Sequence, residues 1–409
     1  MHTNLPQAQA GTRPRLPERR MLVLAGFFAA LEGYDLACYG ATVPSLLHDH
    51  AMAATKASAG TVGSLVAVGM MVGAGLAGAL VNRFGARKLL LAGTIAFSAG
   101  MLVCAVVLSI AVFGTARLIV GVGLGAVLPT LTTYVAELSA PTRRSRNIGL
   151  MMAGYAMGAL AAPLLATVLL PVASWRWIYV IGAAPALVIL PIAARRLSES
   201  PVQRPESRPG RELFGLRPLL SRGVFAATLL FWCMSFCGLL LVFAVGTWLP
   251  TIMQANGYSL GSSLLQTAAM WLGAGLGMVV GGRIGDKIGV QRVVVVAFAV
   301  GALSLLGMSV RPPLVLLFLL MFASGLGFIG SQVLTNALVV TRYPDELRGP
   351  GIGWALSVGR LGAIVGPSLG GVILSSQLDA RWNFYLFAIP GVLGAVLAAC
   401  VPAIRRRSV

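Results

Sequence analysis

Roughly twelve stretches of about twenty apolar residues, separated by short polar breaks, fill this chain almost from end to end. At about 1.5 Å per residue each is long enough, as a helix, to cross a hydrocarbon layer about 30 Å thick. Hydrocarbon offers no partner to a free N–H or C=O, so such stretches must close their backbone hydrogen bonds within themselves, as helices. The windows fall near 21–47, 57–81, 88–110, 112–137, 146–170, 175–195, 222–250, 261–285, 290–310, 312–341, 349–376 and 383–404. They predict an all-α integral membrane protein with about 12 transmembrane helices. Of the 409 residues, 57% are hydrophobic and only 11% charged, with a mean hydropathy of +0.86, more apolar surface than a soluble core can hide.

Orientation follows from the 31 Lys and Arg. Twenty-five of them fall in the termini and in the loops that an even number of spans places on the same side as both termini. Basic residues are retained on the cytoplasmic side, so both termini are expected there. Lys56, Arg176, Arg311 and Arg381 fall outside, and Arg117 and Arg360 lie within windows. The net charge of +19 is thus spread over many loops with no single patch and no interleaved aromatics, which argues against nucleic acid and for contact with membrane lipid. Residues 1–20 are polar and Arg-rich, without the apolar core of a removable signal peptide. The five cysteines lie in or beside apolar windows without metal-ligand spacing, and His48 and His50 read as residues of a solvated outer loop, so neither metal nor cofactor is expected.

Two carboxylic acids, Glu32 and Asp35, interrupt the first window. Each costs about 2.5–3.5 kcal/mol near a bilayer centre, so the pair marks a functional site. On a helix Phe28, Glu32, Asp35, Tyr39 and Thr42 share one face. From a start near Met21 the two acids sit roughly 16–21 Å deep, and Arg360, from a start near Gly349, sits roughly 16 Å deep in another window. An arginine and two carboxylates at one depth can bind an anion and a proton together, and the planar guanidinium fork suits a carboxylate ligand. The bland alternative is an internal ion pair of Glu32 or Asp35 with Arg360 or Arg117. Arg117 lies toward the outer end of its window, within snorkelling reach of the interface.

The chain also repeats. At an offset of 204 residues Gly78, Asn82, Arg83, Gly85 and Lys88 match Gly282, Asp286, Lys287, Gly289 and Arg292. In the same register Gly121, Gly123, Arg144, Gly158 and Pro163 match Gly325, Gly327, Arg348, Gly362 and Pro367. Six windows per copy bring both halves in from the same side, the parallel-repeat plan of a secondary transporter with its site between the halves. The divisions expected are a tail at 1–20, bundles at 21–195 and 222–404, a linker at 196–221 rich in Arg, Pro and Ser, and a tail at 405–409.

The stretch from Gly78 through Asn82, Arg83, Gly85 and Arg87 to Lys88 resembles the G-x-x-x-D-R-x-G-R-[RK] loop of the major facilitator superfamily, with a second copy from Gly282 through Asp286 and Lys287 to Arg292. Glu32-Gly33-Tyr34-Asp35, followed by Tyr39-Gly40 and Pro44-Ser45-Leu46, is similar to the D-G-x-D mark of its aromatic acid:proton symporters. Gly359-Arg360-Leu361-Gly362, running into Gly366-Pro367 and Gly370-Gly371, fits the same branch. Two departures stand out: Glu32 replaces an aspartate, moving that carboxylate outward by a methylene, and Asn82 removes a charge that Asp286 keeps in the other half.

The resemblance implies two pseudo-symmetric six-helix bundles and proton-coupled import of an aromatic carboxylate, benzoate or hydroxybenzoate in type, across the cytoplasmic membrane by a monomer. Asp35, Glu32 and Arg117 would couple protons. Arg360, with Asp35, Tyr39, Trp271, Gln332 and Asn336, would bind substrate. Arg83, Arg87, Asp286, Lys287, Arg292, Glu137 and Arg144 would gate the cytoplasmic side. The main rival is proton-driven efflux of a drug or metabolite. Exporters of the superfamily carry a glycine-proline step in span five, whereas this chain runs from Gly154 and Gly158 to an isolated Pro163. A sensor would need a signalling domain, and an enzyme a nucleophile-base set or metal cluster, neither of which stands out.

Overall fold

The computed structural model describes residues 18–140, 143–197, 216–221, 223–376 and 378–402. Within these lie α1 (Glu18–His48), α2 (Lys56–Phe84), α3 (Ala86–Val106), α4 (Ile110–Leu138), α5 (Arg144–Leu169), α6 (Arg176–Arg196), the single turn α7 (Leu216–Leu219), α8 (Phe225–Ala255), α9 (Leu260–Ile288), α10 (Val290–Ser309), α11 (Leu314–Arg342), α12 (Asp345–Ser375) and α13 (Trp382–Ala399). Twelve of these helices are long and apolar enough to cross a membrane, and no strand occurs among the described residues. The expected linker at 196–221 and both tails fall largely outside the described residues. Large apolar side chains point outward, Val172 being 81% and Val315 75% exposed, while charged Asp35 and Arg117 are buried. That inversion suits a lipid solvent.

Both halves pack alike. In the first, α1 lies against α5, α2 and α3 against α4, and α3 against α6; in the second, α8 lies against α12, α9 and α10 against α11, and α10 against α13. The repeat extends to single atoms. Gly85 and Gly289, 204 residues apart, break the chain between α2 and α3 and between α9 and α10 with φ of 82° and 95°, a region that favours glycine. Gly121 leaves no room for a Cβ beside the carbonyl of Val66, nor Gly325 beside that of Met270, and those two carbonyls are again 204 residues apart. Arg87 donates to the carbonyl of Ala194, and Gln291 to that of Ala398 at 2.9 Å. Each tie fastens the start of the third helix of a half to the end of its sixth.

The alternating helices define a near end, where Glu18 and Cys400 lie, and a far end. The halves meet through α1 with α8, α2 with α12 and α5 with α9. Toward the far end the contact is close. Gly40 abuts the carbonyl of Gly246, Gly63 faces the Pro367 ring, Ser64 bonds to the carbonyl of Ile364 and at 2.7 Å to Ser368 Oγ, and Lys56 Nζ donates to Leu374 O at 2.9 Å. At the near end these polar contacts run inside one half: Glu18 accepts from Arg143 at 3.3 Å and Asn147 at 2.6 Å, and Arg342 donates to Gln291.

One loop at the far end is pinned electrostatically. The Asp49 carboxylate, just beyond α1, accepts from Arg176 at 2.8 Å, Trp175 Nε1 at 3.0 Å and Ala51 N at 3.0 Å. Partial burial raises its pKa, but the bonds from Arg176, Trp175 and Ala51 outweigh burial and hold it below the ordinary carboxylate range. A depressed pKa stabilises the fold above the unfolded value of about 3.9, and that contribution is lost as pH falls through the folded value. Asp49→Asn should therefore lower the melting temperature of the purified protein at pH 7 by roughly 2–4 °C. The difference from wild type should shrink as pH is taken from 5 toward 3, as read by thermal scans of both proteins side by side.

Candidate functional site

The acids of α1 face different partners. Asp35 has no exposed surface, and its Oδ1 is ion-paired with Arg117 of α4, which is 1% exposed. Arg117 lies over the ring of Tyr39, 5.1 Å from its centroid, and the Tyr39 hydroxyl donates to Ala59 O at 2.5 Å. Phe113 closes the cage, its ring 5.5 Å from that of Tyr179, whose hydroxyl meets Thr42 Oγ1 at 3.0 Å. The snorkelling expected of Arg117 is thus corrected: its stem turns inward because a buried anion awaits it in the same half. Removing either member of such a pair leaves an uncompensated buried charge and costs about 3–5 kcal/mol.

Glu32 sits about one-sixth of a turn away on the same helix, enough to address another neighbour. It is 2% exposed, and its Oε2 has no hydrogen-bond partner. It lies near Arg360 of α12, across the divide between the halves, and near Tyr155 of α5. Arg360 donates to the carbonyl of Met70 on α2, so it too reaches across. Counted from the near ends of their helices, Glu32 and Arg360 lie at about 21 and 22 Å. The alternative of an internal pair thus holds for Asp35 with Arg117, inside one half, while Glu32 and Arg360 confront each other between the halves.

The second half presents buried polar atoms without partners among the described residues. Trp271 is 1% exposed with Nε1 unpaired, and its ring lies beside Gly246 of α8. Gln332 has neither amide atom bonded and points at Gly238; Asn336 Oδ1 and Ser235 Oγ are likewise unpaired. An unmet buried polar group costs about 1–3 kcal/mol, so such atoms suit a place that a ligand or water fills. Tyr39, by contrast, is engaged beneath Arg117. Tyr155 and Ser235 were missed from the sequence: each is one polar residue in a long apolar window, and only the packing of α5 against α1 and of α8 against α12 gives it a neighbour.

The contacts described for the near-end residues stay within their own halves. Arg83 lies over Phe84 at 5.4 Å, Arg144 donates to Ala136 O at 2.8 Å and interacts electrostatically with Glu137, and Arg87 is bonded to Ala194. Asp286 and Arg292 line a cavity of about 630 Å³ with Gln291 and Arg342, and Lys287 is exposed beside it. No group of three or more potential metal ligands occurs among the described residues, and the five cysteines are free.

The Major Facilitator Superfamily profile matches residues 25–279 and 232–408. A gentisate transporter of Corynebacterium glutamicum is 34% identical over 385 residues, covering 92% of this chain and 86% of its own. A benzoate transport protein of Acinetobacter baylyi is 30% identical over 411 residues, covering 92% and 88%. Among solved structures, a D-xylose-proton symporter superposes with a TM-score of 0.80 at 20% identity, covering 94% of this chain and 98% of its own, a likeness of fold. The two bundles with matched internal packing and the paired loops ending at Gly85 and Gly289 agree with these matches: the chain is a transporter of the Major Facilitator Superfamily, in the branch where those aromatic acid transporters fall.

Proposed function

We propose that the protein is a proton-coupled symporter that imports an aromatic carboxylate, of benzoate or hydroxybenzoate type, across the cytoplasmic membrane by alternating access. The observation that carries the reading is the division of α1's acids: Asp35 paired with Arg117 inside one half, and Glu32 facing Arg360 between the halves at one depth. The aromatic part of the reading rests on the similarity to gentisate and benzoate transporters.

In this reading the near end is cytoplasmic, as the placement of 25 of the 31 basic residues supports. The bundles are 21–195 and 222–404, joined by the linker at 196–221, and the monomer is the working unit. With the far end sealed, the state seen here faces the cytoplasm. The substrate carboxylate takes the guanidinium of Arg360, competing with Met70 O and Glu32, and so loosens a tie between the halves. Its ring lies against Trp271, and its polar substituents meet Gln332 and Asn336. Protonation of Asp35 releases Arg117, while Tyr39 keeps the cation in place by its ring face. Near-end charges, among them Arg83, Glu137, Arg144, Asp286, Lys287 and Arg292, then close the cytoplasmic side in the opposite state, whereas Arg87 acts as a fastener within its half.

One pH unit supplies about 1.4 kcal/mol per proton, enough for roughly tenfold accumulation of substrate. A monoanion entering with one proton moves no net charge; a second proton, on Glu32, would add about 2.3 kcal/mol per 100 mV.

Uptake of labelled benzoate, several hydroxybenzoates, phenylpropionate and an aliphatic control into proteoliposomes, under an inside-alkaline gradient, tests the reading. An aromatic acid should accumulate, and a protonophore should collapse its uptake. If none does, while an inside-acidic gradient expels a preloaded drug or metabolite, the efflux alternative stands instead. Asp35→Asn should abolish gradient-driven uptake while leaving counterflow exchange at least partly intact; normal concentration of substrate by this variant would remove Asp35 from the proton role. Arg360→Ala should raise the half-saturation concentration for carboxylates by roughly tenfold or more, the loss of a charge-assisted pair. Arg360→Lys should recover only part of that loss, because an ammonium lacks the fork.

A further inference from the structure

Away from the divide between the halves, the near ends of α1 and α6 enclose a groove of about 450 Å³ lined by Arg19, Arg20, Val23, Leu24, Ile192 and Arg196. The groove is amphipathic along its length. Arg19, Arg20 and Arg196 stand at the helix ends, exposed, and Arg195 lies beside them. One turn deeper the walls become apolar, with Val23 66% and Ile192 42% exposed. Glu18, the nearest acid among the described residues, is turned away to Arg143 and Asn147. No described residue gives Arg19, Arg20 or Arg196 an acidic partner.

The groove looks outward. Arg20, Val23 and Phe27 share the side of α1 that carries Tyr34, whose hydroxyl donates to Ile178 O of α6 at 2.8 Å, while Glu32 lies on the opposite side. α6 packs on α3, α1 and α5 and belongs to the rim of its half, so the groove faces the lipid. The fold does not demand these arginines either. At the repeat offset of 204 to 205 residues, Arg19, Arg20 and Arg196 correspond to Gly223, Val224 and Val401, none of them basic.

We propose that this groove binds one anionic phospholipid of the near-end leaflet, its phosphate held by Arg19, Arg20 and Arg196 and its acyl chain laid along Val23 and Ile192. Clustered arginines at the headgroup level above exposed aliphatic walls match a phosphodiester attached to a hydrocarbon chain, and a soluble phosphate compound would leave the apolar walls unused. The site is independent of the transport reading, which supplies only the name of the leaflet, cytoplasmic.

The test is native mass spectrometry of the full-length protein in neutral detergent, titrated with phosphatidylglycerol or with phosphatidylcholine of the same acyl chains. Wild type should bind one phosphatidylglycerol at least about tenfold more tightly than phosphatidylcholine, and the triple variant R19Q/R20Q/R196Q should lose that preference. A triple Arg→Lys variant at the same positions should keep most of it, and removing three exposed charges of the second half, by Arg217→Gln, Arg283→Gln and Lys287→Gln, should leave it intact. Val23→Asn with Ile192→Asn should weaken the lipid without changing the far weaker binding of glycerol phosphate. Equal binding of the two lipids by wild type, or a preference that survives R19Q/R20Q/R196Q, would overturn the proposal. Displacement of the lipid by glycerol phosphate at comparable concentration would assign the groove to a free phosphate compound instead. Unchanged melting of R19Q/R20Q/R196Q without added lipid separates loss of binding from loss of fold.

Discussion

A carboxylate and a guanidinium with almost no exposed surface can persist in a lipid-embedded bundle only by holding each other. The Asp35–Arg117 pair is therefore the fixed point around which the first half is arranged. Tyr39 gives the cation a π face and anchors itself to Ala59, Phe113 packs against both Tyr39 and Tyr179, and Tyr179 reaches Thr42 on the helix that carries the acid. Each contact excludes water from the pair, and excluding water is what makes the pair strong. The same seclusion makes any change of proton occupancy there felt by α1 and α4 together.

Glu32 extends that logic across the molecule. Its neighbour Arg360 belongs to the other half and is bonded to a backbone carbonyl of α2, so a single cation is offered an acid, a carbonyl and, in the proposed cycle, a substrate anion. A site of this kind serves as a junction because its ligands belong to two rigid bodies. The rigidity comes from the repeat: Gly121 against Val66, Gly325 against Met270, and the ties of Arg87 and Gln291 to the last helix of each half are the same solution written twice.

Most of the architecture was legible in the sequence because hydrocarbon imposes one rule on every span. The windows and the helices agree to within a few residues, as for 57–81 against Lys56–Phe84, and the register of 204 residues reappears in atoms such as the paired positive φ of Gly85 and Gly289. The site was legible in its charges and less so in their pairing. Position along a helix gives depth, which served Glu32 and Arg360, but not the direction of a long side chain. Arg117 was therefore read toward the interface although its stem turns inward. The partner of Arg87 was hidden for the same reason, since its acceptor is a carbonyl 107 residues away that no motif announces.

The contact that shuts the far end has a particular make-up. Across α2 and α12 it consists of glycines, a proline ring, a serine pair, and donors that end on the backbone carbonyls of Ile364 and Leu374. Lys56 is the sole charged side chain among these contacts, and its acceptor is a carbonyl. Among the described residues, this α2–α12 contact holds no acidic group to titrate and no anion for salt to screen. Neither the acidity nor the ionic strength of the solution bathing that face can loosen it directly. Its strength rests on shape, so the barrier to parting is set by how closely two small-residue surfaces fit. In the proposed cycle, a proton arriving from that face acts only after travelling inward to a carboxylate that lies beyond the seal.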